Sequence, residues 1–319
     1  MHTDNWYILG AGSIGCLWAS SLCYKGESPR IILKESSYHQ FEQKRIPLNL
    51  LIPDRTCQFY VNIVSPEMID SPINRLIVCT KAQDALAALN SIRLHLTDNC
   101  KILLLQKGMG SQQLISNAFP TQTVWAGVST DGAYLVAPFE VCHAGQGQTC
   151  IGPLRQNHQS ERGFNDLFDN FRLKIIRCDA IEQKLWEKLA INSCINGLTA
   201  LFNCRNGELL DNGEKQDWLD QLIAETRSIL EALEIPATSL KEKVHKVCQT
   251  TANNISSTCQ DVRKGKTTEL SFINGFLIKQ ANALGVSVSR HNQLMGQLNA
   301  SEIRVRSSEQ PAPVHPLGI

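Results

Sequence analysis

The run Trp6-Tyr-Ile-Leu-Gly10-Ala-Gly12-Ser-Ile-Gly15 constrains the fold of this chain more than any other feature. Its apolar residues read as a short buried strand, a Gly-x-Gly-x-x-Gly turn follows at once, and Cys16 to Leu22 continue as a helix of small and apolar residues. Gly10 suits the tight turn, Gly12 lets backbone approach a pyrophosphate, and Gly15 lets helix and strand pack closely. Free N–H groups at the helix N-terminus then face the phosphates. A glycine turn alone is a weak signal, but a second strand at Arg30-Ile-Ile-Leu33 supplies the β-α-β context that the motif requires. The expectation is a dinucleotide site on Gly10, Ala11, Gly12, Ser13, Ile14 and Gly15.

The end of the second strand distinguishes two nicotinamide cofactors. A carboxylate there holds the ribose 2′-hydroxyl of NAD, whereas a cation accommodates the 2′-phosphate of NADP. Here the strand ends in Lys34, followed by Glu35. Lys34 is expected to meet the phosphate; a register shift of one residue would put Glu35 in its place, and a solvated strand end is the plain alternative.

Strand and helix patterns alternate to about residue 178, with further strands at Leu76-Ile-Val-Cys-Thr-Lys81, Lys101-Ile-Leu-Leu-Leu-Gln106 and Val124-Trp-Ala-Gly-Val-Ser129. Such alternation predicts an α/β Rossmann-type domain with a doubly wound parallel sheet, whose ligands lie beyond the carboxyl ends of the strands. Lys81, Lys107 and Gly108 stand at such ends. Ala133 to Leu154 reads as an antiparallel addition that closes the domain. After Cys178 the pattern turns to long helices, Trp218 to Leu233 and Ser239 to Cys248 among them. The predicted organisation is an NADP-binding domain over 1–178, an all-α substrate and catalytic domain over 179–305, and a frayed tail over 306–319.

One helix of the second domain carries an informative stripe. Lys188, Asn192 and Asn196 recur every four residues and fall on one narrow face, while Leu185, Leu189, Ile191, Cys194, Ile195 and Leu198 supply the apolar remainder. An ammonium and two carboxamides in apolar surroundings need partners, and the desolvation that makes them costly also makes Lys188 a usable acid. Read alone, the stripe fits either a binding site or a helix with structurally satisfied polar groups.

Composition removes several classes. At 319 residues and 35.5 kDa the chain is long enough for two domains with cores of their own. A net charge of +1 gives no electrostatic case for nucleic acid or an anionic membrane. No apolar run is long enough to span a bilayer, and Asp4 and the glycine turn stand where a signal peptide has its cleavage region. The expected location is the cytoplasm, and the expected state a monomer or homodimer. The 12 cysteines include no C-x-x-C and the 8 histidines no pair at ligand spacing, so neither disulfides nor a metal is expected.

Taken in order, Gly10-Ala-Gly-Ser-Ile-Gly15, Cys79-Thr-Lys81, Lys107-Gly-Met-Gly110, Trp186 to Ala200, Asn203-Cys-Arg-Asn-Gly-Glu208, Asn254-Ile-Ser-Ser257 and Thr268-Glu-Leu-Ser-Phe-Ile-Asn-Gly275 resemble the ketopantoate reductase family. The likeness runs over almost the whole chain and is far more specific than the glycine turn. It implies NADPH-dependent reduction of a branched 2-keto acid, 2-dehydropantoate, to pantoate in pantothenate and coenzyme A biosynthesis. By this resemblance Lys188 is the proton donor, Asn192, Asn196, Asn206 and Ser257 hold substrate, and Lys34, Lys81, Ala133 and Glu269 line the cofactor beside the glycine turn.

The residue types suit that chemistry. Hydride arriving at a ketone carbon leaves charge on the oxygen, which a positioned ammonium such as Lys188 stabilises and protonates. Asn192 and Asn196 both donate and accept hydrogen bonds without adding charge that competes with the carboxylate. Ser257 offers a hydroxyl to the carboxylate, with a helix cap as its plain alternative; a surface ion pair is the alternative for Glu269. Where the family carries an asparagine touching both cofactor and substrate, this chain has Lys107, which is therefore expected at both. A cation there either grips the substrate carboxylate or repels the ammonium of Lys188. The remaining readings are a reductase of another 2-keto acid, for which Lys107 is the argument, and a non-catalytic NADP-binding sensor, which has no use for Lys188, the two asparagines and Glu269 together.

Overall fold

The computed structural model describes residues 6–155, 167–211 and 213–308, with side chains to residue 300. The chain forms two compact units, 1–186 and 187–319, and the division falls inside a helix.

In the first unit β1 (Trp6–Leu9), β2 (Arg30–Ile32), β4 (Arg55–Val64), β5 (Ile73–Val78), β6 (Leu96–Leu104) and β7 (Thr123–Ser129) run parallel in the order β7-β6-β5-β1-β2-β4. On one side β3 (Arg45–Ile52) joins β4 antiparallel, followed by β9 (Glu140–Gly145) and the edge strand β8 (Gly132–Ala137). On the other side β10 (Thr149–Pro153) joins β7 antiparallel and carries β11 (Ile175–Arg177). The antiparallel addition expected over 133–154 is thus split between the two sides of the sheet.

That split dictates a strong curl. Eight inter-strand steps separate β9 from β10, about 38 Å in a flat sheet. The link between them, residues 146–148, reaches only roughly 14 Å. The sheet must therefore bend until its sides approach, and there Asp131, two residues beyond β7, faces His143 of β9. Asp131 clasps the same place, accepting from His143 Nε2 at 2.9 Å, Gly147 N at 3.0 Å and Ser129 Oγ at 2.9 Å. Burial alone would push the Asp131 carboxyl up, but those hydrogen bonds outweigh it and hold it below its ordinary value.

Helix α1 (Ser13–Tyr24) lies in the concavity, with Gly15 to Leu22 buried without interruption. A helix apolar on all sides needs such an enclosure. The period-two alternation of β1 then makes two cores: Trp6 and Ile8 pack with Leu17, Trp18 and Leu22, while Tyr7 and Leu9 pack on the opposite face. That second core includes Ala85 and Leu89 of α3 (Ala82–Ser91) and Ile115 of α4 (Ser111–Ala118). The register aligns the carboxyl ends of the strands, with Leu9 opposite Ile32 and Val78, Val78 opposite Leu104, and Leu104 opposite Ala126. Gly10, Lys34, Thr80, Lys81, Gln106 and Lys107 all follow directly beyond that line.

The second unit is helical. It takes in most of α5 (Ile181–Leu201), then α6 (Glu214–Ala232), α7 (Leu240–Thr250), α8 (Ser257–Arg263), α9 (Asn274–Leu284) and α10 (Ser289–Ser308). A Cβ at Gly197 would stand 2.9 Å from Leu294 Cδ2 and 3.4 Å from Leu270 Cδ2, so α5 presents bare backbone where its neighbours press closest. Helix α10 extends through 306–308, the first positions of the expected tail, and 309–319 lie outside the described residues. Among the described residues no helix is long and apolar enough to cross a membrane.

Candidate active site

The first unit presents a cradle at the carboxyl ends of β1, β5 and β6. Gly10, at φ +103°, turns the chain while its N–H still reaches Ile32 O at 3.1 Å. A Cβ on Gly15 would lie 2.0 Å from Gly10 O, so only glycine lets helix and turn approach so closely. Gly12 is different: it precedes α1 without a side-chain cap, at an ordinary φ of −74°, and a Cβ there would meet nothing within 4 Å. Nothing in the protein's own packing requires glycine at this position, which leaves the backbone there open to a ligand.

The neighbouring strand ends complete the rim. Cys79 N–H donates to Leu9 O at 2.9 Å, and Gln106 Nε2 donates to Val78 O at 2.9 Å and Thr80 O at 3.3 Å. Gln106 Oε1 and Thr80 Oγ1 are both buried without a partner, which is costly unless a ligand or water satisfies them. Sequence reasoning missed both residues, although each is a polar group directly after an apolar strand. Lys81 precedes α3, and Lys107 leads into Gly108 and Gly110, both at positive φ. Lys107 makes no hydrogen bond or ion pair among the described residues. Ala133, on β8, packs in the same apolar cluster as Ala11, Ile14 and Cys79.

Lys34 is exposed and stands immediately before α2 (Glu35–Tyr38). Glu35 is engaged on the surface of α2, where its Oε1 lies 2.8 Å from His39 Nε2. The cation is thus the group presented at the strand end and the carboxylate is turned to a helix neighbour. The set fits a dinucleotide: an uncapped helix start with room around Gly12, unsatisfied polar atoms near the rim, and an exposed lysine beyond the end of β2.

In the second unit Lys188 and Asn192 are half-buried on α5, and Asn196 is buried. Their turn of helix is tied to 254–257, since Thr199 Oγ1 donates to Ser256 Oγ at 2.7 Å and Ser256 Oγ lies 3.4 Å from Asn196 O. Ser256 also caps α8 by accepting from Cys259 N at 3.1 Å. The capping role considered for Ser257 therefore belongs to its neighbour, and Ser257 is the half-buried first residue of the helix. Asn206 is drawn to the same region, its N–H donating to Asn254 O at 3.0 Å and its Nδ2 to Thr251 Oγ1 at 2.8 Å. Its Oδ1 remains buried without a partner. Glu269 precedes Leu270, the residue that lies over Gly197 of α5. Asn196, Asn206, Ser257 and Glu269 thus sit on elements packed or hydrogen-bonded around one stretch of α5, although 60 or more residues separate Asn196 from Ser257 and Glu269.

Among the described residues no group of three His, Cys, Asp or Glu side chains is placed to hold a metal. Burial pushes the thiols of Cys16 and Cys194 up to about 12, which leaves no thiolate nucleophile there at neutral pH.

Two family models cover most of this architecture: the ketopantoate reductase PanE/ApbA model matches residues 6–156, and its C-terminal counterpart residues 180–302. The 2-dehydropantoate 2-reductase of Shigella flexneri is 30% identical over 299 residues, spanning 92% of this chain and 94% of that protein. The chain belongs to the ketopantoate reductase family. The 2-dehydropantoate 2-reductase of Vibrio cholerae is 28% identical over 300 residues, spanning 93% of this chain and 98% of its own. Two solved structures share the fold of the whole family member. The PanE/ApbA family ketopantoate reductase from Ralstonia eutropha has a TM-score of 0.85 at 22% identity, covering 95% of this chain and 99% of that one. D-mandelate dehydrogenase, solved with NADH and anilino(oxo)acetate, has a TM-score of 0.85 at 20% identity with the same coverage.

The two glycines give opposed expectations. Gly15→Ala should destabilise the protein by roughly 2–3 kcal/mol or more through overpacking, seen as a lower Tm. Gly12→Ala should keep the Tm, since its φ suits alanine, yet weaken dinucleotide binding at least tenfold in a fluorescence titration. Unchanged binding in Gly12→Ala would remove the phosphate from this turn.

Proposed function

We propose that this protein reduces 2-dehydropantoate to pantoate with NADPH, the step that feeds pantothenate and coenzyme A synthesis. The observation that carries the reading is the 30% identity to a 2-dehydropantoate 2-reductase across 92% of the chain, joined to the polar stripe of Lys188, Asn192 and Asn196 on α5. The catalytic assignment is oxidoreductase chemistry at a CH–OH group.

The cofactor supplies a hydride to the ketone carbon when bound. The backbone of Gly10, Ala11, Gly12, Ser13, Ile14 and Gly15 would hold its pyrophosphate, and Lys34 its 2′-phosphate. Lys81, Lys107, Ala133 and Glu269 would line the remainder. NADPH is favoured over NADH because the first charged residue beyond β2 is Lys34, while the Glu35 that follows it is paired with His39. Lys188 donates a hydrogen bond to the ketone oxygen, stabilises the charge that builds there and passes its proton to it. Asn192 and Asn196 orient the substrate through its hydroxyl without introducing charge. Asn206, whose Oδ1 is buried and unpartnered, has an acceptor to offer a substrate hydroxyl. Ser257 is the donor for the carboxylate, and Lys107 lines the substrate beside the cofactor.

A second reading, reduction of a different 2-keto acid, is favoured by one observation: Lys107 stands where the family carries asparagine. The likeness to D-mandelate dehydrogenase shows that the same fold serves another substrate in that protein.

The direct test is NADPH oxidation with 2-dehydropantoate beside a panel of other 2-keto acids. Preference for 2-dehydropantoate is the expected result, and a higher kcat/KM on another member would replace the substrate. In the same assay Lys107→Asn should retain or raise activity on 2-dehydropantoate; a steep loss on every acid, with NADPH binding unchanged, would make Lys107 the substrate clamp.

Two further substitutions separate cofactor from chemistry. NADPH should bind more tightly than NADH, and Lys34→Ala should erase most of the difference in direct titrations; equal affinities in the intact protein would sink the NADP assignment. Lys188→Ala should leave NADPH binding nearly intact and cut turnover by roughly two powers of ten, the scale of a lost general acid. Surviving turnover would mean that the proton comes from elsewhere.

A further inference from the structure

The second unit holds a chain of polar side chains that the proposed reaction does not use. Ser193, Thr226, Asn274 and His291 are each fully buried, with no exposed surface. Asn274 Nδ2 donates to the backbone carbonyl of Ser193 at 2.8 Å and to His291 Nδ1 at 3.1 Å. With Nδ1 accepting, His291 donates from Nε2 to Thr226 Oγ1 at 3.0 Å. Thr226 Oγ1 in turn lies 3.4 Å from Ser193 Oγ, which donates to Ala190 O at 2.9 Å. Burial pushes the imidazole down to about 4, so it is neutral at physiological pH and has the one donor and one acceptor that this arrangement uses.

His291 is itself held. The Glu225 carboxylate accepts from His291 N–H at 3.0 Å, Arg290 N–H at 2.8 Å and Ser289 Oγ at 3.1 Å, fastening the start of α10 to α6. One turn further on, Leu294 presses against Gly197 of α5.

The chain ends on a significant place. Ser193 lies directly after Asn192 and one turn before Gly197, so its carbonyl sits within the stretch that carries Asn192 and Asn196. Apolar packing tolerates small slides and rotations of a helix, whereas a hydrogen bond to one carbonyl does not. Asn274 also closes the segment that begins at Glu269, and that segment is docked on α5 through Leu270 over Gly197. Stability alone gives little reason to keep the amide: its Oδ1 is buried without a partner, which an apolar residue of similar size would avoid.

We propose that Asn274 and His291 are positioning residues that fix the backbone of α5 locally at Ser193, and thereby hold the adjoining Asn192 and Asn196 where substrate needs them. The inference rests on the reading that these two asparagines bind the 2-keto acid. It predicts a division of effects, because the glycine turn that binds cofactor belongs to the other unit and Lys188 lies more than a turn away from Ser193 along the helix.

The test uses the full chain and whichever 2-keto acid the wild-type enzyme turns over best, so a change of substrate identity is decided beforehand and does not bear on this result. Asn274→Ala should raise KM for the keto acid about tenfold, while kcat and the Kd for NADPH stay within threefold. His291→Phe, which keeps a ring but no nitrogen, should do the same, and His291→Gln, which keeps a donor and an acceptor, should restore KM to within threefold of wild type. A Tm loss with KM unchanged would overturn the proposal, as would parallel losses in KM, kcat and NADPH binding. If Asn274→Ala does not fold, the two His291 variants decide alone: equal KM values for Phe and Gln would overturn it.

Discussion

The close approach of Gly15 to the carbonyl of Gly10 is the constraint on which the first unit depends. A methyl group there would sit 2.0 Å from that oxygen, so α1 could not enter the concavity beside β1. With the glycine in place, α1 is buried on every side and becomes the core around which the sheet bends. The curl brings β9 to β10 and lets the Asp131 clasp form. The same glycine contact starts α1 where its unpaired N–H groups open onto the cradle. Packing and cofactor recognition therefore share one physical cause.

The second unit solves a different problem, that of placing polar side chains inside an apolar bundle at defined positions. Helix α5 carries Lys188, Asn192 and Asn196, but a helix held by oily contacts alone is free to adjust its rotation. The bare backbone at Gly197 admits Leu270 and Leu294, and the buried run from Asn274 to His291 and Thr226 fixes a single carbonyl. Ser256 and Asn206 attach the turn at 254–257 to the other end of the same stretch. The bundle is thus specified by hydrogen bonds at a few points, and the apolar contacts fill between them.

The strand, glycine turn and helix at the start of the chain were legible because these elements are local in sequence. The glycine turn, the strand before it and the lysine at the end of β2 lie within 34 residues, and period-two and period-3.6 patterns are read over such windows. The striped helix was legible for the same reason. Gln106 and Thr80 were not, since their importance lies in bonds between adjacent strand ends that only the parallel register creates. The choice between Ser256 and Ser257 as a cap also escaped the sequence, because adjacent serines are equivalent until the backbone of α8 begins.

The sequence by itself determined the fold class, the dinucleotide motif, the lysine-asparagine stripe and the family, each of them carried by residues that are neighbours in the chain or by a pattern preserved along it. Tertiary structure alone decided how far the sheet curls, which strand ends meet, and that Asn274, braced by His291, reaches the carbonyl of Ser193 across 81 residues of chain. The physical reason is the same in each case. Local patterns report which face of an element is apolar, whereas the partner of a buried polar group is chosen only when distant elements close around it, and nothing in the spacing of the residues records that choice.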